Sequence, residues 1–209
     1  MGEICLRRGV LVVADEIHED LVLNIDKRHT PFASLSEAFQ QNSITCTSPS
    51  KTFNLAGLQS ANVVIPNRRL REEFSRQLDR NAFELVNALG MVAAEAAYAG
   101  GETWLEEMLN YVRNNRVHFA DTIHAADIGI KVLPADALYL AWVDCRLFTT
   151  DAEYLHRFLV QEAQVWLDHG PKFGLEGEGF MRINLACPRS TVDEAIKRIT
   201  RAISSKAGH

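Results

Sequence analysis

Two short stretches of the chain combine residue types that could do covalent chemistry: Asp15-Glu16-Ile17-His18 and Ser48-Pro49-Ser50-Lys51-Thr52-Phe53-Asn54. A lysine amine in a crowded pocket is desolvated toward its neutral form, a nucleophile that condenses with a carbonyl to a Schiff base. An aspartate set against a pyridine nitrogen keeps that nitrogen protonated, which is what makes a pyridoxal ring an electron sink. Hydroxyls such as those of Ser48 and Ser50, beside backbone amides, suit a phosphate. Singly, each residue has a plainer use, since an aspartate at a strand end forms turns and a loop lysine is solvated. The chemistry requires that the two stretches meet.

The elements around them provide for that. Val10 to Ala14 is a continuous apolar run of strand length, predicted to be buried on both faces, and Asp15 follows at its end. In open α/β sheets that edge is where ligands collect. Residues 3–8 read as a helix end stopped by Gly9. Residues 34–41 read as a short helix and 43–47 as a strand, then 48–57 as a loop and 61–65 as a third strand. Helices are predicted at 68–80, at 83–99 with Gly100-Gly101 as its stop, and at 102–126 as a long element bridging two domains.

The remainder reads as strands at 129–133, 137–144, 165–167 and 180–185, with helices at 152–162 and 190–203, the last capped by Ser190 or Thr191. The fold class is therefore α/β, with residues 1–115 the end of a large domain and 116–209 a small α+β domain. Trp104, Trp142 and Trp166 fall on elements with core periodicity and are expected to pack. Gly174, Gly177 and Gly179 are read as a loop rather than a dinucleotide fingerprint.

Composition narrows the function classes. With 22 Lys plus Arg against 27 Asp plus Glu, net −5, the chain has no basic field for a phosphate backbone, so nucleic acid is not expected as a partner. No stretch approaches the roughly 20 apolar residues that span a bilayer, and the start carries no signal-peptide core; no membrane association and a cytoplasmic location are expected. Cys5, Cys46, Cys145 and Cys187 are far apart and are expected to be reduced and mostly buried. No His pair has ligand spacing on one helix face, so no metal is expected. Ser48-Pro49-Ser50-Lys51 also satisfies the Ser-x-x-Lys of β-lactamases, but Gly57 and the strand at 61 follow too soon and there is no Lys-Thr-Gly.

Taken with Gly177-Glu178-Gly179-Phe180-Met181-Arg182-Ile183-Asn184, the two stretches resemble, in order and spacing, the carboxy-terminal half of fold-type I pyridoxal-phosphate enzymes. Within the class I and II aminotransferases the resemblance is to the cystathionine β-lyase (MalY/PatB) group; it runs from Gly9 to the last helix and implies that the strand at 61–65 runs antiparallel to the two before it. It implies that Lys51 holds pyridoxal 5′-phosphate covalently and moves protons at the substrate Cα. Asp15 then pairs with the pyridine nitrogen, His18 lies near the phenolic oxygen where many relatives have tyrosine, and Ser48, with Ser50 beside it, meets the phosphate. Arg182 grips the α-carboxylate of a small amino-acid substrate with its planar fork; as residues alone, Asp15 and Arg182 could also form a structural ion pair.

The implied activity is carbon–sulfur β-elimination from cystathionine or a cysteine-like thioether, giving a thiol, an oxo acid and ammonia, in a family expected to be homodimeric. Gln59 stands where many aminotransferases have a phosphate-binding arginine, which favours the lyases. The phosphate-cradling loop, the ring-stacking aromatic residue, an asparagine and part of the dimer contact belong to the family's amino-terminal half, outside these 209 residues. The chain therefore reads as truncated and is expected, by itself, to bind the cofactor weakly or not at all, with little turnover. Two alternatives stay open: an aminotransferase, or a non-catalytic fragment acting only through association.

Overall fold

A computed structural model describes residues 1–83 and 86–207. The chain divides into two compact units, Met1–Glu107 and Met108–His209. This division and the expected boundary at 115/116 both fall inside one helix, Glu102–Ala125.

The first unit is built on a three-stranded sheet of β1 (Val12–Asp15), β2 (Ser43–Thr47) and β3 (Asn62–Val64), in that order. β1 and β2 are parallel, and β3 is antiparallel to β2 as expected. Helix α1 (Gly2–Arg8) leads in and stops at Gly9, whose φ of 62° is the left-handed conformation that glycine adopts without a Cβ penalty. Helix α2 (Glu37–Gln41) enters β2 under a cap from Ser36, which accepts the Phe39 N–H at 3.2 Å. After β2, the expected loop holds one helical turn, α3 (Pro49–Thr52), carrying Lys51. A serine cap followed by proline at the first helical position pre-forms such a turn even at this length.

Helix α4 (Arg68–Arg80) matches its predicted bounds, with Asn67 as cap and Arg68–Glu72 and Arg69–Glu73 pairs along its exposed side. Helix α5 (Ala88–Gly100) is shorter than the predicted 83–99, for Phe83 precedes it and residues 84 and 85 lie outside the described residues. Helix α6 (Glu102–Ala125) follows. The expectation that the first strand is buried on both faces is corrected: Val13 is 63% exposed, and Val10, Val63 and Val64 are exposed as well. A two-sided apolar strand needs a layer on each face, and among the described residues the Val13 face has none.

The second unit is an antiparallel sheet, ordered β4 (Lys131–Val132), β5 (Leu140–Asp144), β7 (Phe180–Asn184), β6 (Asp168–His169). Strand alternation sends Ala141, Val143, Met181 and Ile183 to one face. There they join Phe119 and Ile123 of α6, Leu155 and Leu159 of α7 (Ala152–Gln161), and Val192, Ile196, Ile199 and Ile203 of α8 (Arg189–Ala207) in a single core. The other face carries Trp142, Asp144, Phe180 and Arg182.

Several expectations shift. β6 lies three residues later than the predicted 165–167. Trp166 therefore falls in the connection and is 80% exposed instead of packed, whereas Trp142 stacks on Phe180 with ring centroids 5.5 Å apart. Trp104 is also exposed on one side, with Phe53 beside it. Helix α8 starts at Arg189, so Ser190 and Thr191 sit inside its first turn; the Pro188 carbonyl accepts the Thr191 N–H, and the Tyr111 hydroxyl accepts that of Arg189. All four cysteines are free thiols, but only Cys145 is buried.

Candidate active site

Because β1 and β2 are parallel and Asp15 registers with Cys46, their carboxyl ends lie at one edge. Asp15 terminates β1 and turns the chain, its Oδ1 accepting the Ile17 N–H at 3.3 Å. Glu16 is buried and fixes the segment beyond: one carboxylate oxygen accepts the Phe32 N–H at 2.8 Å, and the other lies 3.1 Å from His29 Nε2. His18 follows in the same turn. Burial holds its imidazole below the ordinary value, and the Lys51 ammonium pushes the same way while Asp15 opposes. The structure thus brings His18 within electrostatic reach of both Asp15 and Lys51.

Ser48 is buried at the end of β2, and its hydroxyl is fully used. A hydroxyl has one hydrogen and two lone pairs. The hydrogen goes to the Ser60 carbonyl at 2.6 Å, since a carbonyl can only accept. One lone pair takes the Ser50 N–H at 3.0 Å, so the 2.6 Å contact with Ser50 Oγ is made by the Ser50 hydrogen. Ser50 is therefore the hydroxyl that can turn toward a new acceptor, whereas Ser48 first acts as helix cap. The next residue but one, Thr52, donates from Oγ1 to Asp20 Oδ2 at 2.8 Å, tying the Lys51 turn to the segment after β1.

Arg182 belongs to the second unit, on β7, in register with Trp142 of β5 on one side and Asp168 of β6 on the other. Its ion pair is with Asp168: Nε and Nη2 donate to one carboxylate oxygen, Oδ2, at 3.1 and 2.7 Å. The second oxygen accepts from Lys172 Nζ at 3.0 Å. Hydrogen bonds from Arg182 and then Lys172 hold the Asp168 carboxyl below the usual carboxylate range. The ring of Phe173 covers one face of the guanidinium, 4.5 Å from Cζ.

Glu16, Glu19 and His29 bring potential metal-ligand atoms within 4.8 Å of one another, the one such group among the described residues. Both oxygens of Glu16 are already engaged, as above. Glu16, Asp20 and Asp168 were not predicted from the sequence. Asp20 lies close enough to His18 to have been asked for a partner, but its hydroxyl on α3 is 32 residues away; Asp168 is found only once the β6–β7 register is known.

A family model described as aminotransferase class I and II matches residues 1–199. The cystathionine β-lyase PatB of Bacillus subtilis (strain 168) is 44% identical over 206 residues, 98% of this chain and 52% of PatB. Protein MalY of Escherichia coli (strain K12) is 32% identical over 204 residues, 97% of this chain and 51% of MalY. Among solved structures, cystalysin from Treponema denticola, which contains a pyridoxal 5′-phosphate cofactor, superposes with a TM-score of 0.93 at 33% identity, covering 98% of this chain and 52% of that one. The chain spans about half the length of these relatives.

Proposed function

Because the chain belongs to the aminotransferase class I and II family, we propose that it carries the carboxy-terminal half of the active site of a pyridoxal-phosphate-dependent carbon–sulfur β-lyase. The observation that carries this reading is the convergence of Asp15, His18 and Lys51 at the carboxyl ends of two parallel strands. The donor set fits the cofactor: an amine for its aldehyde, a carboxylate for its ring nitrogen, an imidazole for its phenolic oxygen and the Ser50 hydroxyl for its phosphate, with Ser48 able to join by releasing Ser60. When bound, that cofactor supplies an electron sink for a carbanion at the substrate Cα.

The chain's own residues do the rest. Arg182 holds the substrate α-carboxylate end-on. Asp15 pairs with the ring nitrogen. The Lys51 amine takes the Cα proton, the Cβ–S bond breaks with its electron pair leaving on sulfur, and the sulfur is protonated as thiol. One water then converts the unsaturated amine to an oxo acid and ammonia. The substrate class is a cysteine-like thioether such as cystathionine, supported by the relatives described as cystathionine β-lyases and by Gln59 in place of an arginine. We assign residues 1–115 to the cofactor-binding domain and 116–209 to the small domain, and expect a homodimeric cytoplasmic enzyme. Among the described residues no helix is long and apolar enough to cross a membrane.

The test is thiol release from cystathionine in the presence of pyridoxal phosphate, with and without a 2-oxo acid, by the chain supplied with a family amino-terminal half, since the chain by itself is expected to turn over little. Acceptor-independent release supports the lyase. Amino transfer that needs the acceptor and frees no thiol replaces it with the aminotransferase reading.

A further inference from the structure

We infer that Asp168 is a positioning residue for Arg182, holding the side edge of its guanidinium so that the end-on fork is presented to a carboxylate. This rests on the reading of Arg182 as the carboxylate ligand. A guanidinium has five N–H donors in one plane, one on Nε and two on each Nη. Asp168 Oδ2 takes the Nε hydrogen and one hydrogen of Nη2. Phe173 covers one face. What remains is the second hydrogen of Nη2 and the pair on Nη1, which is the fork that matches a carboxylate with two parallel hydrogen bonds.

The register sets this up, for Asp168 and Arg182 are directly opposed on β6 and β7, so their side chains share one sheet face. Lys172 occupies the other Asp168 oxygen and keeps the carboxylate from rotating away or reaching across to the fork. It also offsets the negative charge that Asp168 would otherwise set against an incoming anion. With side edge and face both fixed, the arginine loses less rotamer freedom when a ligand binds, which is where a pre-organised site gains affinity.

Positioning and simple charge make opposite predictions. Removing a negative charge beside the fork would tighten a bound carboxylate, whereas removing the support would loosen it. The probes are 2-aminoisobutyrate, which has no Cα proton to lose, and isopropylamine, the same amine without the carboxylate. Their dissociation constants are measured by calorimetry on the chain supplied with a family amino-terminal half and loaded with pyridoxal phosphate. Asp168→Ala should weaken 2-aminoisobutyrate about tenfold, Asp168→Asn by less, and isopropylamine binding should not move.

The Arg182 Nε–H resonance, followed by NMR without cofactor, should be protected in the parent and exchange freely in Asp168→Ala. Unchanged or tighter 2-aminoisobutyrate binding in Asp168→Ala overturns the inference while Arg182→Ala still abolishes the preference for the carboxylate. Equal weakening of both probes reduces Asp168 to a fold residue and overturns it too. A parent protein that does not prefer 2-aminoisobutyrate over isopropylamine overturns instead the reading of Arg182 itself.

Discussion

The two units invest their apolar residues differently. In the second, strand alternation and three helices close one core around Met181 and Leu155, both fully buried. In the first, Leu21, Leu23 and Ile65 are the buried hydrophobic side chains among the described residues, while Val13, Val63 and Val64 on the sheet, Val10 just before it and Leu89 and Val92 on α5 lie open. Yet the first unit holds Asp15, His18 and Lys51. The lesson is that a reactive constellation can be aligned by backbone register and a few buried polar anchors, Glu16, Ser48 and Thr52, where apolar packing is thin. Arg182, by contrast, lies on a strand whose opposite face closes that core.

The largest expected effect is at the thinly packed unit. With a family amino-terminal half supplied, reduction with borohydride in excess pyridoxal phosphate should leave an adduct that peptide mapping places on Lys51, and Lys51→Ala should lose both the adduct and thiol release; the 209-residue chain by itself should show little of either. An adduct of equal yield elsewhere in Lys51→Ala would break the comparison, because the alignment of the first unit would then have no chemical consequence.

Next comes packing itself. Leu155→Ala should destabilise the second unit by about 2–5 kcal/mol, read as faster amide exchange in β5 and β7. Val13→Ala should change the first unit by no more than about 0.5 kcal/mol, as an exposed position does. Similar costs at the two sites would mean that the open face of the first sheet is covered in solution.

How much of this was readable from the sequence also differs between the units. Long helices announce themselves by period, as the readings 68–80 and 102–126 do beside the observed Arg68–Arg80 and Glu102–Ala125, and the strand ends put Asp15 and Lys51 at one sheet edge before any geometry. The α3 turn was hidden because four residues are too few to show a period, though Ser48-Pro49 is a start signal. β6 was misplaced because its two residues, Asp168 and His169, are polar and owe their strand conformation to pairing with Arg182 and Met181. The apolar run at Val10 to Ala14 has the composition of a strand covered on both faces, but among the described residues nothing covers the Val13 face, so the expectation of two-sided burial fails there.

Acidification should separate the units. His18 has a folded value lowered from 6.5, so below about pH 6.5 the unfolded chain binds a proton that the folded one resists, and the first unit loses stability as pH falls. Glu19, raised mainly by burial from 4.5, works the other way and returns part of that loss nearer its own range. In the second unit Asp144 and Asp168 are both lowered from 3.8 by their arginine partners, Arg146 and Arg182. Their contribution is present above the ordinary carboxylate range and disappears only as pH falls through the lowered folded values. Amide exchange followed from pH 7 to 3 should therefore show the first unit opening earlier, and simultaneous opening would contradict the assignment.

The smallest effect is the most local. Cys145 is 1% exposed, and burial, with Asp144 adding to it, pushes its thiol up to about 12. Against an ordinary value of 9.0 its thiolate fraction at pH 8 is about a thousandfold smaller, and only the thiolate attacks a disulfide reagent. Cys46, on β2 of the first unit, is also raised by burial but is only half-buried. Under native conditions Cys46 should react by local fluctuation, at a rate proportional to reagent. Cys145 should react only when the second unit opens, at a rate that becomes independent of reagent once labelling outruns closing. Leu155→Ala should speed Cys145 labelling and leave Cys46 alone. Acceleration at both cysteines would show that the units open together, and the division between a closed core and a thinly packed reactive edge would then describe packing without describing stability.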